Sequence, residues 1–113
     1  MESNKISSSK VTSILNEIME YELAGVVRYT HYSLMVVGPH RLPIVQFLKD
    51  QANESLVHAQ QAGELLTGLE GHPSQKIAEI VETNNHTIKD IFQESLAHEM
   101  HALSLYKDLL KEV

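Results

Sequence analysis

Cysteine and tryptophan are absent from this 113-residue sequence. Without cysteine the chain cannot form a disulfide or offer a thiolate to a metal, and nothing in it indicates an oxidising compartment. The longest apolar run, Leu34–Val37, is far too short to span a bilayer, and the first residues lack the apolar block of a signal peptide. We therefore expect a cytoplasmic protein that does not contact a membrane.

An excess of positive charge is also missing, since 15 acidic and 9 basic residues give a formal charge of −6. Nucleic acid is not an expected partner, because its phosphates attract a basic surface. No nucleophile triad and no glycine-rich phosphate loop is present. Seven histidines are scattered along the chain, and most, including His98 and His101, are expected to be solvated.

Apolar residues recur at spacings of three and four along three segments, which is typical of amphipathic α-helices. No alternating strand pattern is present. Gly38–Pro39 and Gly71–Pro73 lie where the first two helices would stop. At 113 residues the sequence predicts one domain, residues 1–113. Because the predicted helices have similar lengths, we expect them to pack as an antiparallel all-α bundle. The predicted helices run from about residue 9 to 37, from 42 to 70 and from 85 to 112.

The segment between the second and third predicted helices, residues 71–84, has a weaker pattern. Ile77, Ile80 and Val81 would make one helical turn, but Thr83–Asn85 resembles the start of a new helix. We interpret the segment as a packed crossover.

Each predicted helix carries an acidic residue on its apolar stripe. These are Glu22 on the first helix, Glu54 on the second and Glu99 on the third, and His58 follows Glu54 by one turn. An ionised carboxylate buried without a partner costs several kcal/mol, so a cation between such residues would stabilise them. Oxygen and imidazole donors without sulfur favour iron, manganese or zinc. The stripes expected to face the core contain Leu15, Ile18, Met19, Glu22, Val26, Tyr29, Ser33 and Val36; then Phe47, Gln51, Glu54, His58, Ala62 and Leu65; then Ile88, Ile91, Phe92, Ser95, Leu96, Glu99, Ala102, Leu103, Tyr106 and Leu110.

Three segments resemble bacterioferritin, a member of the ferritin-like di-iron family. Glu22–Tyr29 resembles its first-helix motif, in which a tyrosine follows the glutamate by seven residues. His58–Ala59, together with Leu69–Pro73, is similar to its second helix and the following turn. Ser95–Glu99 is similar to the third-helix segment that supplies a bridging glutamate.

The resemblance implies a ferritin-like bundle that binds iron, oxidises ferrous ion and assembles into a homo-oligomeric storage shell. It implies that Glu22, His58 and Glu99 are metal ligands and that Tyr29 is the tyrosine beside a di-iron site. From the residues alone, Tyr29 and Tyr106 are more typical of packing residues with a hydrated hydroxyl.

The sequence departs from the family pattern at three places. The second-helix Glu-x-x-His motif has Ser55 where the glutamate would be, and Glu54 is the alternative donor. Leu56 stands where bacterioferritin has its haem methionine, so haem is not expected. No fourth helix follows before Val113, which leaves three alternatives: a partner chain closes the bundle, the sequence is a fragment, or the site is degenerate. The rival functions are a helical interaction module and a bundle that binds a single zinc or manganese ion.

Overall fold

Three α-helices and no strand occur in the described part of the chain. The computed structural model describes the backbone from residue 2 and the side chains from residue 9 to the last residue, 113. The helices are α1 (Glu2–Met35), α2 (Arg41–Gly68) and α3 (Ile88–Glu112). The all-α prediction is confirmed, and the molecule is a rod of 59 × 20 × 19 Å. None of the described helices is long and apolar enough to cross a membrane.

The helices α1 and α2 form an antiparallel hairpin. Gly38 has a φ of 117°, which few residues with a side chain adopt, and it turns the chain within five residues. At its other end α2 stops at Gly68, two residues before the predicted end at residue 70. Glu70 takes the left-handed conformation with a φ of 64°, and the Gly71 amide donates to the Leu66 carbonyl at 2.9 Å.

Helix α3 begins at Ile88, three residues later than predicted. Thr87 is the N-cap, because its hydroxyl accepts a hydrogen bond from the Asp90 amide at 3.1 Å, whereas Thr83–Asn85 belongs to the preceding non-helical segment. Tyr32 of α1 contacts Glu94 of α3, whereas Glu22, earlier in α1, contacts Tyr106, later in α3. The two helices therefore run in opposite directions. Helix α3 is therefore antiparallel to α1 and parallel to α2.

The crossover, residues 69–87, returns along α1 without forming a helix. The Ser74 amide donates to the Asn16 side chain at 2.9 Å, and the Ala78 amide donates to the Glu20 carbonyl at 3.0 Å. These bonds satisfy backbone groups that a helix or sheet would otherwise pair. The crossover thus carries the chain back to the end of the bundle where α3 starts.

Helix α1 is the centre of the fold. It packs against both α2 and α3, while no Cα of α2 comes within 8 Å of a Cα of α3. The predicted stripe of α1 is buried as expected, except that Val26 is only partly buried. Half of the buried residues that α2 and α3 turn toward α1 are alanine or serine. This closed face consists of Val45, Leu48, Ala52, Ser55, Ala59, Ala62 and Leu66 on α2 and of Ile91, Ser95, His98, Ala102 and Leu105 on α3.

The stripes predicted for α2 and α3 are wrong at most positions. Their larger apolar residues line an open side of the bundle between the two helices, where the rings of Phe47 and Phe92 lie 6.0 Å apart. The predicted stripe of α2 and that of α3 both follow helical spacing, so each stripe forms one continuous face of its helix. We define this open face as Phe47, Gln51, Glu54, His58 and Leu65 on α2 and Phe92, Leu96, Glu99, Leu103 and Leu110 on α3. All ten are exposed except Gln51, which is partly buried.

Candidate metal centre

Glu22 is the buried carboxylate at the base of the site. Glu22 is 3% exposed to solvent. One of its oxygens, Oε2, accepts a hydrogen bond from the Tyr106 hydroxyl at 2.7 Å and lies 3.2 Å from Nδ1 of His58. Three helices therefore meet at one carboxylate oxygen.

Burial raises the pKa of the Glu22 carboxyl above its ordinary value, because removal from water disfavours the charged form. The hydrogen bond from Tyr106 and the neighbouring His58 oppose this effect, and the charge of Glu99 adds to it. A cation close to Glu22 would favour its ionised form. Without a cation, burial instead favours the protonated carboxyl.

Glu99 and Tyr29 form a second hydrogen-bonded pair among the predicted site residues. The Tyr29 hydroxyl donates to Oε1 of Glu99 at 2.5 Å, and Tyr29 is 2% exposed. Burial, followed by this hydrogen bond to an anion, raises the pKa of Tyr29, so the phenol stays protonated and remains a donor. The expectation of a hydrated hydroxyl on Tyr29 is therefore wrong.

The predicted ligand residues of α2 and α3 are less buried than expected. Glu99 is exposed on the open face, and the side chain of His58 is 45% exposed. Glu54 is exposed as well, whereas its neighbour Ser55 is buried on the closed face. Among the side chains described for residues 9–113, no three from histidine, aspartate and glutamate converge in a group that could hold a metal ion.

His98 is a buried residue that the sequence prediction placed in solvent. It is 3% exposed, and neither ring nitrogen has a hydrogen-bond partner among the described residues. Its ring stacks on Tyr21 with 4.2 Å between centroids. Burial lowers its pKa to about 4, so the ring is neutral at neutral pH. The spacing of His98 from the buried Ser95 and Ala102 was a signal that could have revealed its position.

Gly25 explains how His98 and Ser55 approach α1 so closely. A Cβ atom at position 25 would lie 2.8 Å from Nε2 of His98 and 2.9 Å from Oγ of Ser55. Both distances are shorter than real Cβ contacts, so any larger residue at this helix crossing would push His98 and Ser55 aside. Ser55, which stands where the bacterioferritin pattern has a glutamate, is in this structure a packing residue of the closed face.

A second network of polar side chains joins α1, α3 and the crossover. Glu94 accepts hydrogen bonds from the hydroxyls of Tyr32 and Thr83, both at 2.8 Å. The Tyr32 hydroxyl in turn accepts from Arg28 at 3.3 Å. Sequence analysis did not single out Glu94, because its position beside the predicted stripe is that of an ordinary surface carboxylate.

The fold and this arrangement define a class of protein: a helical bundle in which a carboxylate of one helix lies beside a histidine and a tyrosine of two others. The family model for the ferritin-like domain matches residues 12–113. This chain therefore belongs to the ferritin-like domain family. Searches of curated proteins and of solved structures returned no significant match.

Proposed function

We propose that this chain binds iron and serves in iron storage or detoxification by oxidising ferrous to ferric ion. The observation that supports the proposal best is the buried Glu22 carboxylate, which His58 and Tyr106 approach at a single oxygen. Oxygen and imidazole donors suit iron. Membership of the ferritin-like family makes iron the first metal to test.

In this proposal Glu22, His58 and Glu99 would bind the iron, with Glu54 as a further donor from α2. Two ferrous ions would each give one electron to a molecule of oxygen, which with two protons becomes hydrogen peroxide. Tyr29 would orient the carboxylate of Glu99 through its hydrogen bond, and Tyr106 would do the same for Glu22. Carboxylates would also favour the ferric product, because its charge is higher.

In this proposal the donors of one chain would form half of a two-iron site. Glu22 and Glu99 interact electrostatically, and each is held by a tyrosine, but no group of three donors is assembled among residues 9–113. We propose that a helix from another copy of the chain, in a homo-oligomer, covers the open face and supplies the remaining donors. The exposed apolar residues Phe92, Leu96 and Leu103 would then be buried.

Oxygen consumption after addition of ferrous ion tests the iron proposal. We expect the chain to oxidise iron at least tenfold faster than buffer, and Glu22→Gln and Glu99→Gln to remove that excess. Glu17→Gln changes an exposed carboxylate on the same helix as Glu22 and should have no effect. A lower rate of iron oxidation in Glu54→Gln would show that Glu54 contributes to the site.

Oxidation no faster than in buffer would refute the proposal. Equal rates for Glu17→Gln, Glu22→Gln and Glu99→Gln would refute the assigned site even if the chain oxidised iron. Far-ultraviolet circular dichroism of each variant separates loss of the site from loss of the fold.

A helical interaction module is the second candidate function, and the open face favours it. The apolar residues of that face lie at positions where a fourth helix would bury them. An interaction module would keep its full stability after metal removal. A melting temperature that rises with added iron would instead favour the metal site. Elemental analysis of the purified protein separates iron from a single zinc or manganese ion.

A further inference from the structure

Two histidines outside the proposed iron site face each other at one end of the bundle. Nε2 of His31, in the last turns of α1, lies 3.3 Å from Nε2 of His86, the crossover residue just before the N-cap of α3. The ring centroids are 5.3 Å apart and the planes are tilted by 59°. Because the centroids are farther apart than the nitrogens, the rings turn their Nε2 edges toward each other.

The distance between the nitrogens matches a metal site. At a zinc–nitrogen bond of about 2.0–2.1 Å, two nitrogens on a tetrahedral ion lie about 3.3–3.4 Å apart. The residues come from segments 55 positions apart in sequence, so their alignment is a product of the tertiary fold. We infer that His31 and His86 bind a divalent transition-metal ion, of the zinc, copper(II) or nickel class, through their Nε2 atoms.

The chemistry of the pair is consistent with this ion class. Neutral imidazole is a good ligand for zinc, copper and nickel, whereas magnesium and calcium prefer oxygen. Each ring coordinates through Nε2 when its proton is on Nδ1, so a pair of neutral rings binds the ion by changing tautomer without losing a proton. No third histidine or carboxylate is grouped with the pair among residues 9–113. Water would fill the other coordination positions of the ion.

The site is distinct from the proposed iron site. His31 follows Glu22 by nine residues, which is about 13 Å along a helix. His31 is exposed and His86 is partly buried, so an ion can reach both from solvent. An ion held by both rings would join the end of α1 to the start of α3 and would fix the end of the crossover between them.

Zinc binding to the 113-residue chain tests the inference, with isothermal titration calorimetry after removal of bound metal by a chelator. All measurements use the Glu22→Gln background, so that failure of the iron proposal does not affect the result. We expect one zinc ion per chain, with at least tenfold weaker binding in His31→Ala and in His86→Ala. His72→Ala removes another exposed histidine near Asn16 and should bind zinc as the background protein does.

Copper(II) electron paramagnetic resonance provides a second readout, because nitrogen hyperfine structure counts imidazole ligands. Two coupled nitrogens in the background protein and one in each single variant support the site. The inference is overturned if the background protein binds no zinc, or if His31→Ala and His86→Ala bind it as tightly as His72→Ala. The pair would then be a hydrogen bond between two imidazoles only. Circular dichroism of the variants checks that each is folded.

Discussion

The two sides of α2 and α3 differ in side-chain size as well as in burial. On α2 the closed face carries three alanines and a serine, whereas the open face carries Phe47 and Leu65. Small residues let α1 and α2 approach closely, as Gly25 does opposite Ser55 and His98. The open face instead presents large apolar side chains with carboxylates between them. Large apolar residues are therefore no guide to which side of these helices packs on α1.

Neighbouring leucines on the two faces give the sharpest test of this comparison. Leu66 is 0% exposed and Leu65 is 60% exposed. We expect Leu66→Ala to lower the free energy of unfolding by about 3 kcal/mol, because it leaves a cavity, and Leu65→Ala to lower it by less than about 0.5 kcal/mol. Urea denaturation at low protein concentration measures both.

Leu65→Ala and Leu66→Ala also test whether chains associate through the open face. If another copy of the chain covers the open face, the cost of Leu65→Ala should grow with protein concentration, because folding and association are then linked. Equal costs for the two substitutions at the lowest concentration would contradict the division into a closed and an open face.

The pH dependence of stability tests the buried state of His98. Its pKa falls from 6.5 to about 4 on folding, so the unfolded chain binds more protons between those values. Stability from this residue is complete above pH 6.5 and is lost as the pH falls toward 4, by up to about 3 kcal/mol. Denaturation of the metal-free protein across this range measures the loss.

His98→Leu should flatten that profile, whereas His72→Leu, which changes an exposed histidine that does not contribute to the pKa shift of His98, should leave it unchanged. A profile for His98→Leu that falls as steeply as that of the unmodified chain would mean that His98 is solvated, as the sequence alone suggested.

The two tyrosine–carboxylate hydrogen bonds of the candidate site differ in the burial of the carboxylate. Tyr106→Phe removes a donor from buried Glu22 and should cost about 1–2 kcal/mol. Tyr29→Phe should cost less, about 0.5–1 kcal/mol, because water can reach the exposed Glu99. Thermal unfolding of the metal-free variants compares them. The reverse order would indicate that Glu99 is the more deeply buried carboxylate, and hence that the open face is covered in solution.

The resemblance to bacterioferritin anticipated part of the candidate site and missed the rest. It singled out Glu22, His58, Glu99 and Tyr29, and the structure brings Glu22 next to His58 and Tyr29 next to Glu99. It did not anticipate Tyr106 as the donor to Glu22, which depends on how α3 is rotated against α1. It also did not anticipate the pairing of His31 with His86, because that contact spans the whole crossover.

The sequence by itself determined the three helices and the buried stripe of α1. Both follow from local rules: apolar residues at a period of 3.6 specify a helix, and α1 contacts both other helices, so most of its apolar stripe is buried. Only the tertiary structure decided which faces of α2 and α3 are buried. Each helix has two stripes that could pack, and the close approach to α1 selected the smaller residues for its interface. The same packing put His98 in the interior, and left Glu99 and His58 on the open side.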